Sequence, residues 1–203
     1  HIVELDDGST AEGHVILLAV GREFPLRDLG LDHYGVAVSG PDAFRRDGSL
    51  RLADGLWVAG DPAGPELHTH QGHYQGELVV RMALGEAVTP DYRALPRATY
   101  TSPEAASVGL TLDQALAAAR GYAVEAAAGH VTIVVDRTTR EVVGAAMACP
   151  DASAAIHECV LAIKARIPVD VLAETIHAFP STSRIFNGLF AEALVVLGAP
   201  PAR

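Results

Sequence analysis

The chain is poor in cysteine, in aromatic residues and in positive charge. Its 203 residues include only Cys149 and Cys159, too few for a disulfide framework and spaced like neither a CxxC redox pair nor a zinc site. Cys149 closes an expected strand and Cys159 lies in an expected helix, so both read as reduced packing residues. Fifteen Lys and Arg against 25 Asp and Glu give a formal charge of -10, which argues against a nucleic-acid surface or an anionic-membrane surface. No run of eighteen apolar residues occurs, so no segment reads as a membrane-spanning helix. The opening HIVELDDGST has none of the features of a signal peptide, and the cytoplasm is the expected compartment. No GxGxxG follows a strand, so no Gly-rich loop is available to cradle a dinucleotide's diphosphate.

What is present suits one or two folded domains, since 49% hydrophobic content is ordinary for a globular chain of this length. The rest is organised around Asp54 to Gly76, DGLWVAGDPAGPELHTHQGHYQG. Leu56 to Ala59 is a short apolar run suited to a buried strand, broken at Gly60-Asp61 and followed by Pro62, Gly64 and Pro65. A helix is expected from Thr69, with Leu78, Val79, Met82 and Ala83 at helical spacing and Gly85 as its stop. An acidic side chain at a strand's carboxyl end, with a helix amino terminus shortly after, is where open α/β sheets take nucleotide-type ligands. The carboxylate accepts hydrogen bonds from hydroxyls, and first-turn N–H groups favour electron-rich atoms. His68, His70 and His73 have HxHxxH spacing with Glu66 nearby, but no fourth ligand stands at motif spacing and no metal is expected.

Before this stretch, His1 to Leu5 alternates like a strand, Asp6-Asp7-Gly8 signals a turn, and Val15 to Val20 reads as the second strand of the hairpin. Asp42 to Asp54 is a polar excursion in which Arg45 and Arg46 solvate a loop, with a short strand expected at Ser49 to Leu52. Pro90 to Arg97 reads as an interdomain linker. Beyond it, Ala106 to Leu110 suits a strand, and Thr111 with Gln114 forms a capping box opening a helix through Arg120 that Gly121 stops. Val131 to Val135 and Val142 to Ala148 read as a strand pair around a tight Asp136 to Arg140 turn. One helix is expected from Pro150-Asp151 to about Arg166, a short one at Val169 to Ile176, and a last one at Ser183 to Leu197.

Two stretches carry a resemblance. The segment at Gly60-Asp61 resembles the flavin-binding segment of the pyridine nucleotide-disulfide oxidoreductases, and Pro96 to Ala115, PRATYTSPEAASVGLTLDQA, is similar to that family's P-x-x-x-[FY]-T-x-P-E-x-A-x-V-G-x-T-x-x-x-A pattern. Tyr100, Thr101, Pro103, Glu104, Ala106, Val108, Gly109, Thr111 and Ala115 all match. Ala19 to Pro25 resembles the family's ATGR-x-P passage, with Val20 for Thr and one extra residue before the Pro. Leu29 to Asp32 and Gly35 to Val38 resemble its next two stretches. No chemistry is assigned to Arg22.

The resemblance implies an α+β carboxy-terminal dimerisation domain, with a mixed or antiparallel sheet and helices, over residues 96–203. A partial FAD/NAD(P)-binding α/β domain would precede it over 1–95, exposing apolar surface that a missing amino-terminal half would cover. It implies Asp61 and Gly60 at the ribityl chain of FAD, with His68, Thr69 and His70 opening the helix toward the flavin, NAD(P)H as co-substrate, and a homodimer. The family's redox CxxxxC has no counterpart here. Aligned on Pro180, its catalytic His falls on Phe179 and the Glu four residues after the Pro on Arg184. Phenylalanine cannot move a proton, and an arginine disfavours a charged imidazole. His177 matches a noncatalytic family histidine, so no catalytic residue is assigned, and an acceptor other than a dithiol-disulfide pair is expected. The other reading is a stand-alone dimerisation or binding module without turnover.

Overall fold

The structure is a computed structural model that describes residues 1–38, 44, 49–118, 121–125 and 130–198. Its contacts divide the chain into two compact units, His1–Ala87 and Val88–Arg203.

In the first unit β1 (Ile2–Glu4) and β2 (Thr10–Glu12) form an antiparallel hairpin. Asp7 closes its turn by accepting from the Ser9 N–H at 2.9 Å and the Ser9 hydroxyl at 2.6 Å. The second strand expected at Val15 to Val20 is therefore displaced. A tight turn pairs the residues nearest it, Glu4 with Thr10, and Val15 to Val20 has no ladder among the described residues. That apolar stretch lies open, with Leu17 86% and Val20 92% exposed. A second hairpin joins β3 (Arg51–Ala53) to β4 (Leu56–Trp57). Leu56 and Trp57 are half-buried rather than buried, because a two-stranded hairpin has no second layer on its outer face. Helix α1 (Thr69–Ala83) begins at the expected residue, and Gly85, at φ 91°, follows its end. Arg45, Arg46, Asp47 and Gly48 of the polar excursion lie outside the described residues.

The second unit is built on one five-stranded sheet. Strands β5 (Pro96–Thr99), β6 (Glu104–Gly109), β7 (Gly121–Glu125), β8 (His130–Asp136) and β9 (Val142–Cys149) lie in the order β5-β6-β9-β8-β7. Every neighbouring pair is antiparallel, which resolves the mixed-or-antiparallel expectation. The two strands that patterning did not anticipate are the two edges. Pro96 opens β5 and Gly121 opens β7, and both residue types are tolerated at the start of an edge strand but obscure it in a sequence. The expected linker is not free chain either: Asp91 takes Lys164 at 2.9 Å and Arg93 at 2.9 Å, and Pro96 is already paired with Val108.

Helix α2 (Leu112–Ala117) starts on the expected capping box. The Gln114 N–H donates to Thr111 Oγ1 at 3.2 Å, and the Thr111 N–H donates to Gln114 Oε1 at 2.9 Å. Ala119 and Arg120 lie outside the described residues. The single helix expected after Pro150 is two, α3 (Ala152–Ala155) and α4 (His157–Ala165), stepping at Ile156. Helix α5 (Val169–Ala173) is shorter than expected, and α6 (Arg184–Leu197) fills almost the whole span assigned to it. The core joins sheet residues Val108, Val131, Ile133 and Met147 to Ile156, Cys159 and Phe186 of the helices, all 3% exposed or less. Phe186 and Phe190 stack across one turn of α6 with ring centroids 5.8 Å apart. Where β6 passes β9 the backbones nearly touch. A Cβ on Gly144 would lie 2.0 Å from the Leu110 carbonyl oxygen, and one on Gly109 would lie 2.3 Å from that of Val143. This close approach gives the Val108-Gly109 pair of the family pattern its physical reason.

Candidate functional site

Two places carry the expected site residues, one in each unit. In the first, β4 runs out at Trp57 and the chain turns at Gly60, whose φ of 83° favours glycine. Asp61 to Ala63 then make one 3-10 turn. The turn is held by the side chains of Gln71 and Gln75, one helical turn apart on α1 and both fully buried. Gln75 Oε1 accepts from the Gly60 N–H at 2.7 Å, and its amide donates to the Gly64 carbonyl at 2.6 Å. The Gln71 amide donates to the Gly64 and Glu66 carbonyls at 2.8 Å each, and its Oε1 accepts from the Glu66 N–H at 2.9 Å. Two glutamines thus pair main-chain groups of the turn that are buried at Gly64 and partly buried at Gly60 and Glu66. Gly72 lets the turn lie against the helix, since a Cβ there would fall 3.3 Å from Gly60 Cα.

The Asp61 side chain stays 30% exposed and meets Arg22, whose Nη1 donates to Oδ2 at 2.5 Å. The pair joins residues 39 positions apart. Sequence reasoning left Arg22 unassigned because nothing local links it to Asp61. The glutamines were visible as an i, i+4 pair, yet that spacing is equally good for a solvated face. At the start of α1, His68 caps in extended conformation without a side-chain bond, and Thr69 and His70 are exposed. The first bond along the helix runs from the Gly72 N–H to the His68 carbonyl at 3.1 Å, so the amides of Thr69, His70 and Gln71 precede it. The rings of His68 and His70 stack with centroids 5.0 Å apart. Among the described residues no three His, Cys, Asp or Glu side chains gather as a metal set.

In the second unit His177 is enclosed, its side chain 5% exposed. Its Nε2 lies 2.8 Å from Glu158 Oε1 of α4, and its Nδ1 lies 3.0 Å from the Thr175 carbonyl and 3.3 Å from the Asn187 amide. Two residues on, Phe179 is 82% exposed, and the Arg184 guanidinium carbon sits 5.4 Å from the centre of its ring. The residues aligned with the proton-handling pair therefore touch each other, as a cation on an aromatic face. Both thiols are disfavoured as thiolates: burial pushes Cys159 above the usual thiol range, and burial with Asp151 and Glu104 nearby raises Cys149.

A two-layer unit of five antiparallel strands and packed helices, preceded by a strand-turn-helix segment with a carboxylate at the turn, is the architecture that the comparisons with known proteins match. The model of the pyridine nucleotide-disulphide oxidoreductase dimerisation domain matches residues 117–189. Dihydrolipoyl dehydrogenase of Chlamydia pneumoniae is 30% identical over 84% of this chain and 40% of that protein. An NAD(P)H dehydrogenase (quinone) of Mycobacterium tuberculosis is 31% identical over 90% of this chain and 40% of that protein. Among solved structures, LpdA of Mycobacterium tuberculosis superposes with a TM-score of 0.82 at 28% identity, covering 94% of this chain and 45% of LpdA. The HOCl-induced flavoprotein disulfide reductase RclA of Escherichia coli shares the fold, with a TM-score of 0.71 at 24% identity over 90% of this chain and 47% of RclA. Over residues 117–189 the chain carries the dimerisation domain of the pyridine nucleotide-disulphide oxidoreductase family. It spans less than half the length of these relatives. Among the described residues, no helix is long and apolar enough to cross a membrane.

Proposed function

We propose that the chain is the carboxy-terminal portion of an FAD-dependent NAD(P)H oxidoreductase, with residues 1–95 completing the cofactor-binding region and residues 96–203 pairing two copies into a homodimer. The observation that carries this reading is the Asp61 turn. Its main chain is fixed to α1 by two buried glutamines, while its carboxylate stays 30% exposed. A turn so held keeps the carboxylate at a fixed place on the surface, where it can accept hydrogen bonds from the hydroxyls of a ribityl chain. Gly60 sets the turn, and His68, Thr69 and His70 at the start of α1 would face the ring system. FAD, when bound, supplies two-electron transfer between NAD(P)H and an acceptor. This chain has no GxGxxG, so by itself it is expected to hold FAD weakly and to show no turnover.

The acceptor is not a dithiol-disulfide pair on this reading. Phe179 offers no group that takes up or releases a proton, and Arg184 presents only hydrogen-bond donors where the family has a carboxylate acceptor. His177 has Glu158 on one nitrogen and Thr175 with Asn187 about the other, which suits a residue that holds the Phe179 segment in place. A quinone or similar acceptor fits better, and the M. tuberculosis relative named NAD(P)H dehydrogenase (quinone) supports it. The test is steady-state oxidation of NADH and NADPH by the full-length protein with a soluble quinone and, separately, with lipoamide. Quinone-dependent turnover exceeding lipoamide-dependent turnover is expected, and the reverse order refutes the reading.

A further inference from the structure

We infer that Arg22 is a positioning residue for the Asp61 carboxylate, and so sets how tightly that carboxylate takes a hydroxyl-bearing ligand; this rests on the reading of Asp61 as the ribityl contact. The glutamine clamp fixes only the main chain of the turn. Gln75 holds the Gly60 N–H and the Gly64 carbonyl, and Gln71 holds Gly64 and Glu66. None of these bonds orients the Asp61 side chain, which keeps its own χ1 and χ2 freedom.

Among the described residues the group bonded to that carboxylate is the Arg22 guanidinium, Nη1 to Oδ2 at 2.5 Å. Arg22 comes from a distant part of the chain, and the backbone is shaped to deliver it. Gly21 stands at φ 108° with no atom near a Cβ built on it, so conformation and not crowding asks for glycine there. Charge-assisted bonds of this kind are short and directional. An ionised carboxylate has about four lone-pair sites and Arg22 fills one of them, so capacity remains for a ligand hydroxyl. The Arg22 side chain is 58% exposed and the Asp61 side chain 30%. A pair this exposed adds little to folding stability, which leaves orientation of the carboxylate as the consequence that matters.

The test is the FAD dissociation constant of the full-length flavoprotein, read from flavin fluorescence, for Asp61→Ala, Arg22→Gln, Arg22→Lys and the double variant Arg22→Gln/Asp61→Ala. Arg22→Gln is expected to weaken FAD binding by about 3- to 10-fold, the scale of coupling between directly bonded side chains. Arg22→Lys keeps a cationic donor and is expected to recover most of that loss. The double variant is expected to bind no more weakly than Asp61→Ala alone, within about twofold, because a positioning residue has nothing left to position. Full additivity in the double variant, or Arg22→Gln binding FAD like the parent while Asp61→Ala is weakened, overturns the role of Arg22 and leaves the flavin reading intact. Unchanged binding in Asp61→Ala overturns the flavin reading and the inference with it.

Discussion

Replacing Gln75 by Met tests whether the Asp61 turn is held from α1. Methionine is unbranched and close in length, so the substitution leaves little cavity and isolates the polar loss. The two bonds of the Gln75 amide do not cost the same. The Gly64 carbonyl still receives the Gln71 amide at 2.8 Å, so it stays paired. The Gly60 N–H, bonded at 2.7 Å to Gln75 Oε1, has no second acceptor among the described residues. Leaving one such donor unpaired costs about 1–3 kcal/mol, and the surviving bond to Gly64 keeps the total near the lower half of that range. For a unit of this size the loss corresponds to a fall of about 4–8 °C in Tm per kcal/mol. Trp57 is the single tryptophan of the chain and stands three residues before Gly60. Urea unfolding followed by its fluorescence therefore reports on the first unit and not on the second. A midpoint for Gln75→Met that matches the parent, with the same slope, refutes the clamp.

Other outcomes follow from the same geometry. Asp61→Ala in the full-length protein is expected to weaken FAD retention by about 1–3 kcal/mol, as a charged acceptor of ligand hydroxyls is lost; unchanged flavin occupancy after dialysis contradicts it. Gly144→Ala forces a methyl to 2.0 Å from the Leu110 carbonyl oxygen and is expected to destabilise the second unit by about 3 kcal/mol or more, read as a lowered Tm by circular dichroism. The hydrogen bonds from Arg93 and Lys164 hold the Asp91 carboxyl well below the usual carboxylate range. A depressed folded-state pKa gives stability that is fully present above the unfolded value near ~4 and is lost as pH falls below it. Asp91→Asn is expected to flatten that acid limb, and an unchanged pH profile between pH 5 and pH 2 counts against the pairing.

Legibility in the sequence followed how local each interaction is. The Thr111/Gln114 capping box, the start of α1 at Thr69 and the extent of α6 are set by residues within one helical turn, and they stand where patterning puts them. The central strands β8 and β9 are long and apolar enough to be seen, whereas β5 and β7 are edges opened by Pro96 and Gly121. Val15 to Val20 misled for the opposite reason, since its apolar pattern suits a strand while no ladder forms on it among the described residues. The turn that carries Asp61, between β4 and α1, was legible from the apolar run, the Gly60-Asp61 break and the Thr69 helix start around it. Arg22 was not, because a pair separated by 39 positions leaves no spacing to recognise. Nor was the enclosure of His177 by Glu158 and Asn187, which depends on how α4 and α6 come together.

The flavin assignment is tested most directly by the visible spectrum of the purified full-length protein. Bound FAD with its oxidised-flavin band near ~450 nm, a property of the cofactor itself, is the predicted result. A colourless protein that takes up no FAD when it is supplied would contradict the account.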